Sequence, residues 1–527
     1  MNLHKTTFII ASLLALGACN RENGSDTPPN DPQDNETRTD NVFNIAGNNL
    51  LPVEVEQDSL VRNPCMGWGL YDDAPDYVAD ASIFWMQMDK YAKYATHLYV
   101  RWRWVDFEPE EGQYAWLDKQ SNFSRLIQGA LDRGLKLAFR VYYDSDGQHY
   151  QATPDYVRQA GAEGRWNVGW AGRNMWSPYA DDPVFQQKLG VFVEAFAKEF
   201  DDPDRVDFID AFNLGFWGEG HDISFKAGND NETLKTAVVK WITNLYGNAF
   251  RKVPLVINYH KEIGESNLDW VLENQDYQLR HDAFGSKYYA KFEKDYEAKY
   301  RTKRLIVAES CYWFVGTDKG AASSGGVDFT EQWRSDNTYS PRATSWADVY
   351  RRTYNEAAIA RANTLDMREE REAHSWTTVS PDIVQQFISY GGYRFTPVAI
   401  SFPPTITSGK AFDIGHKWRN SAFGLCPNNN KRWNNKYKAA FAFINESDEI
   451  RQIVVDWQSN PADWLNEADT PYVLNIPGID LPPGKYRLAV AIVDTSKENN
   501  PPGINLACKN LATHNGWKIV AIINIVE

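Results

Sequence analysis

The run D-F-I-D-A-F-N-L-G-F-W-G-E-G-H, from Asp207 to His221, opens as an apolar strand and closes on a glycine-flanked Glu219 beside Trp217 and His221. An apolar run ending in a glycine turn fits a parallel barrel strand, and such barrels place their chemistry at the C-terminal ends of the strands. Glu219 is therefore the first candidate for a catalytic acid. A lone loop Glu more often caps a helix or pairs with an Arg. A second Glu, Glu309, in a matching context weakens that plainer reading.

Working outward from this run, strand-like segments alternate with helix-length ones, the pattern of a repeating βα unit. Strands are expected at 66–71, 97–102, 135–141, 208–214, 253–259, 280–284, 304–309 and 373–377, with helices at 124–133, 234–250 and 346–363. Eight strands predict an α/β fold, a (β/α)8 barrel, with Glu219 just after strand four and Glu309 at the end of strand seven. Beyond Phe395, runs such as Y-K-A-A-F-A-F-I-N and K-Y-R-L-A-V-A-I-V-D, with the turn D-L-P-P-G-K, predict a C-terminal antiparallel β-sandwich. Residues 51–394 are assigned to the barrel and 395–527 to the sandwich. Trp418, Trp433 and Trp457 would bind glycan there or the domain would only buttress the barrel, and the buttress is favoured.

Glu at the ends of strands four and seven resembles the carboxyl pair of the glycoside hydrolases, and what that resemblance implies is that one carboxyl protonates a leaving glycosidic oxygen while the other attacks or shields the opposite face. They stand about 5–5.5 Å apart in retaining enzymes and about 6.5–9.5 Å apart in inverting ones. Glu219 would need a raised pKa, from burial against Trp217 and repulsion by Glu309, while Glu309 would stay ionised near a cation. Arg101, Arg140 and His260 sit at strand ends and are candidates for that second role, although both arginines could equally bridge acidic loops. Asn213, Trp217, His221, Tyr259, His260 and Asp282 are candidate sugar contacts, and Trp313 and Trp376, after strands seven and eight, are candidate floors of sugar subsites or barrel-top packing. Asp144 and Asp146, in V-Y-Y-D-S-D-G, read as solvated turn residues, because the remaining ligand positions of a calcium loop are absent. Glu108, Glu110 and Glu111, in E-P-E-E-G, read as surface charges.

With Glu at strands four and seven, the sequence resembles the clan A glycoside hydrolases, in which these positions carry the acid/base and the nucleophile. The run R-W-R-W-V-D-F-E-P-E-E-G-Q-Y-A-W, Arg101 to Trp116, is similar to the second βα loop of β-galactosidase-like members of that clan. The arrangement from about Asn63 to Val526 also resembles bacterial lipoproteins that join a barrel to a β-domain, a resemblance that carries no activity with it. One departure stands out. The clan usually has Asn directly before the strand-four Glu, where it holds the sugar 2-hydroxyl, whereas here Gly218 precedes Glu219 and the nearest Asn is Asn213. The resemblance implies a retaining glycoside hydrolase with Glu219 as acid/base and Glu309 as nucleophile, needing no cofactor or metal. A non-catalytic glycan-binding lipoprotein on a barrel scaffold is the alternative.

The N-terminus, M-N-L-H-K-T-T-F-I-I-A-S-L-L-A-L-G-A-C, has a basic start, a short apolar run and small residues before Cys19. That is a secretory signal too short to span a membrane, and its L-G-A-C ending resembles a bacterial lipobox, which makes Cys19 the expected lipidation site. Residues 20–50 are polar and Pro-rich, as in a solvated tether. The formal net charge of -15 argues against a nucleic-acid partner. A load of 20 Trp, 27 Tyr and 26 Phe suits sugar stacking, although core packing absorbs most of it. Of the other cysteines only Cys426 and Cys508 are proposed as a pair, and no Cys and His spacing resembles a zinc site.

Overall fold

The computed structural model describes residues 45–72, 80–145, 150–168, 172–228, 231–286, 288–311 and 345–527. Cys19, the expected signal and most of the tether, together with Asp146 and Trp313, lie outside the described residues. Eight parallel strands close into a barrel in the order Gly67–Asp72, Ala95–Arg103, Lys136–Tyr142, Val206–Asp210, Leu255–Asn258, Gln278–Phe284, Ile306–Ser310 and Thr364–Arg368. Side chains alternate across each strand. Leu98, Val100 and Trp102, with Leu137, Phe139 and Val141, face the helices in one large core. The alternate positions point inward, and these are Tyr99, Arg101, Ala138, Arg140, Phe208 and Asp210.

Strand four stops at Asp210, not at Leu214, and Ala211 to Gly215 run on as an irregular buried segment. The eighth strand is not at 373–377. It is Thr364–Arg368, and Ala373 to Thr377 lie inside the helix Glu369–Val379. That helix is favoured by Glu369, Glu370 and Glu372 in its first turn, where carboxylates complement the helix dipole. The strand T-L-D-M-R escapes an apolar-run search because its Thr, Asp and Arg face the interior while Leu365 and Met367 face the helices.

The C-terminal region forms two packed sheets. One contains Asn49–Pro52, Phe395–Phe402, Phe412–Asn420 and Thr470–Ile476, and the other is built on Tyr437–Ile444, Ile450–Val455, Gly484–Asp494 and Trp517–Val526. Phe395, Ile400, Ile414 and Trp418 of the first meet Phe441, Phe443, Val490 and Ile523 of the second in a shared core. Residues 51 and 52 therefore belong to this sheet rather than to the barrel, since Asn49–Pro52 pairs antiparallel with Phe395–Phe402. The same core continues into the lower barrel through Phe208, Val256, Leu305 and Val307. At the barrel's N-terminal end the Arg432 guanidinium donates to the carbonyls of Phe250 and Gln275, at 3.2 and 3.0 Å, and Asn363 Nδ2 donates to those of Cys65 and Leu425. The sheets thus close the end of the barrel opposite the strand ends that carry Glu309 and Arg368. Cys426 and Cys508 are free thiols, so the proposed pair is not formed. Among the described residues no helix is long and apolar enough to cross a membrane.

Candidate active site

Glu219 reaches the barrel mouth through a tight loop. Gly215 has φ +77° and a Cβ there would stand 2.1 Å from the His221 carbonyl oxygen, so only glycine lets the loop fold back, with Phe216 N donating to His221 O at 3.0 Å. Gly218 has φ +76°, and a Cβ on it would meet Arg140 Cδ and Asn213 Cα, each at 3.2 Å. This accounts for the missing Asn before the Glu. At this position a side chain would need a left-handed backbone and would press on the arginine that holds the site. Asn213 does not replace it, because its Nδ2 donates to the Tyr246 hydroxyl at 3.1 Å, in the helix layer.

Glu219 and Glu309 are both buried, and arginines link them. Arg140 donates from Nη1 to Glu219 Oε1 at 2.9 Å, from Nη2 to Glu309 Oε2 at 3.3 Å and from Nε to Asp210 Oδ2 at 2.7 Å. Arg101 Nη1 adds a second bond to Glu219 Oε1 at 3.1 Å. Arg280 Nη2 bonds Glu309 Oε2 and lies 3.6 Å from Glu219 Oε1. Because one nitrogen bonds one carboxylate and stands 3.6 Å from the other, the two carboxylates face each other across a single guanidinium. Arg368 Nη2 holds Glu309 Oε1 at 2.9 Å and the Ser310 carbonyl at 2.7 Å.

Burial pushes the Glu309 carboxyl up, but Arg280, Arg368, Arg140 and Arg101 outweigh it and hold the group down to about 2. The expectation of an ionised Glu309 near cations therefore stands, with Arg101 and Arg140 among them. His260 is not one of them. Burial, helped by nearby His281, takes its imidazole down to about 4. Around the buried Glu219, two guanidiniums occupy Oε1, and Trp217 contributes its carbonyl to Arg140 at 3.2 Å. Asp366 is pushed up to about 7, by burial first and then by Glu309, against the pull of Arg368.

His221 stands beside Glu219, with Nε2 3.5 Å from Oε2, and its ring lies 5.7 Å from that of Trp217 and 5.3 Å from that of His260. Asp282 joins them, its Oδ1 accepting from Asn258 Nδ2 at 3.0 Å, while the same amide holds the Glu219 carbonyl at 2.8 Å. Burial opposes ionisation of Asp282, but His281, Arg280 and Glu219 hold its carboxyl well below the usual range. Two expected sugar contacts lie elsewhere. Tyr259 is fully buried in the helix layer, its ring against His281 and Tyr296, and Trp376 is fully buried under Tyr350, at 3.9 Å between ring centroids. Asp144 is not a solvated turn residue but is buried against Arg165 Nη2, at 2.9 and 3.2 Å. Glu108 is not a surface charge either, since it accepts from Trp104 Nε1, Tyr156 Oη and Gly112 N.

Arg280, Arg368, Asp210 and Asn258 were not singled out from the sequence as site residues. The signal that finds them is a polar residue at an inward position of an otherwise apolar strand, as in Q-L-R-H-D and T-L-D-M-R. Among the described residues no group of three His, Cys, Asp or Glu is arranged to hold a metal ion.

No family model matches the chain, and no curated protein matches it. Among solved structures it is similar to xylanase B from Clostridium stercorarium F9, at 13% identity over 58% of this chain and 86% of that one, with a TM-score of 0.36. It is also similar to a glycoside hydrolase family 30 subfamily 8 xylanase from Clostridium acetobutylicum, at 9% identity over 80% and 95% with a TM-score of 0.36. A third match is a β-galactosidase from the psychrophilic Marinomonas ef1, at 10% identity over 62% of each chain, again with a TM-score of 0.36. At such identities the activity has to be argued from the site itself.

Proposed function

We propose that the protein is an exported, lipid-anchored glycoside hydrolase that cleaves poly- or oligosaccharides by a retaining mechanism, with Glu309 as nucleophile and Glu219 as acid/base. The observation that carries this reading is the bridging of the two glutamates by Arg140 and Arg280 at the mouth of a (β/α)8 barrel. It supports a carboxylate pair at short spacing, one member of which stays ionised through the neutral range. Attack by Glu309 on the anomeric carbon gives a glycosyl-enzyme, and water activated by Glu219 releases it. Asp282 and Trp217, at the same mouth, are the sugar contacts that fit best.

One observation favours the second reading, a glycan-binding lipoprotein without turnover: Glu219 Oε1 is already held by Arg101 and Arg140. The two readings part on release of reducing sugar from a panel of plant, algal and host glycans by residues 41–527. Turnover of at least one glycan supports the hydrolase, and binding without turnover on every one favours the second reading.

A further inference from the structure

We propose that His221, backed by Asp222, is the proton-relay partner of Glu219, so that the acid/base unit is the chain Asp222–His221–Glu219. This rests on the hydrolase reading and refines it. Arg101 and Arg140 hold Glu219 Oε1 and the same carboxyl also bonds Asp282, so Oε2, the oxygen that faces His221, is the one that exchanges a proton. His221 Nε2 lies 3.5 Å from that oxygen, and His221 Nδ1 lies 2.7 Å from Asp222 Oδ2. The Asp222 backbone is pinned in turn, its N–H donating to Glu262 Oε2 at 2.8 Å. With 18% of its side chain exposed, His221 stands between solvent and the buried carboxylate.

Among the described residues, the titratable groups around the imidazole are Glu219 and Asp222 from its own loop, His260 and Glu262 from the loop after strand five, and Asp282 from strand six. Burial opposes a charge on His221, but Glu219, Asp222 and Asp282 outweigh it and raise the group to about 9. His221 is thus an imidazolium at neutral pH, and its neighbour His260 is neutral.

As Glu309 attacks the anomeric carbon, the bond to the leaving oxygen breaks and its electron pair stays on that oxygen. The oxygen takes a proton from Glu219 Oε2, which takes one from His221 Nε2 and leaves the imidazole neutral on Asp222. In the second half, water bonds the anomeric carbon and Glu309 departs with the electron pair. The water proton then passes through Glu219 back to His221. His221 acts through Glu219 and is a positioning residue for it.

The first readout needs no substrate. In 15N-histidine-labelled protein, His221, assigned by loss of its signal in His221→Gln, should titrate near pH 9, and Asp222→Asn should lower that midpoint. A midpoint near the ordinary 6.5, or one that Asp222→Asn leaves unmoved, overturns the relay. Should His221→Gln not fold, loss of the signal in His221→Asn supplies the assignment and the same test follows. On a glycan the protein hydrolyses, His221→Gln should lose about 10²-fold in kcat with poor leaving groups and little with activated aryl glycosides, and the fall of wild-type kcat above pH 9 should vanish. Equal losses on both leaving-group classes, with the alkaline limb kept, reject the relay. Absence of wild-type turnover on every glycan, with the titration near 9, rejects the hydrolase reading and the relay's role with it, whereas a midpoint near 6.5 in an active enzyme rejects the relay alone.

Discussion

Arg140 contacts three carboxylates through three different nitrogens, so replacing it should be among the most damaging single changes in the chain. Arg140→Met leaves Asp210, Glu219 and Glu309 buried with too little compensating charge, and removing one partner of a buried ion network costs about 3–5 kcal/mol. The midpoint of urea unfolding at neutral pH checks this. A milder change, Gly218→Ala, forces a side chain into a left-handed backbone and against Arg140 Cδ, and should cost about 1–3 kcal/mol while lowering turnover more than binding. The roles proposed for Glu219 and Glu309 separate by rescue. Glu219→Ala should keep much of its rate on aryl glycosides and respond to azide with a product of retained configuration, because the anion fills the vacated space and attacks from that side. Both glutamates were legible in the sequence, being polar residues at the ends of apolar runs. Arg280 and Arg368 were not, although the inward-facing Arg101 and Arg140 were, because Arg280 only opened the expected sixth strand and Arg368 lay outside every expected strand.

The eighth strand shows the same limit for whole elements. Its inward face is Thr364, Asp366 and Arg368, so neither an apolar run nor a half-polar outer face marks it, and the neighbouring helix with its buried Trp376 took its place in the sequence reading. Seven of the eight expected strands overlap strands of the barrel. The eighth strand also carries a titration opposite in sign to that of Glu309. Glu309 is depressed to about 2, so its stabilising contribution is present above the ordinary carboxyl range near 4.5 and is lost as pH falls through about 2. Asp366 is raised to about 7 from 3.8, so its contribution is full below 3.8 and is lost as pH rises through about 7. Asp366→Asn keeps an oxygen for the Ser310 N–H and cannot ionise. It should therefore raise the melting temperature relative to wild type more at pH 8.5 than at pH 5, and an equal effect at both would contradict the assignment.

At the level of the whole molecule, the sandwich core runs into the lower barrel through Phe208, Val256 and Leu305, and residues 49–52 return to complete its smaller sheet. A chain ending at residue 394 should expose this apolar surface and aggregate, while the full chain should melt in one calorimetric transition. Sequence texture separated the two regions but could not show the return of 49–52, since pairing across some 350 residues leaves no local mark. Location is a separate prediction: Cys19→Ser should move the protein from the membrane fraction to the soluble one after a salt wash, since lipid chains and not protein surface would hold it there. The claim on which all of this turns is that Glu309 attacks the sugar. The direct measurement is the rate of reducing-sugar release by wild type and by Glu309→Ala from whichever glycan of the panel is cleaved. Glu309→Ala should show no turnover above the uncatalysed background, with azide, if it rescues at all, giving an inverted product; a variant that keeps the wild-type rate on that glycan would contradict it.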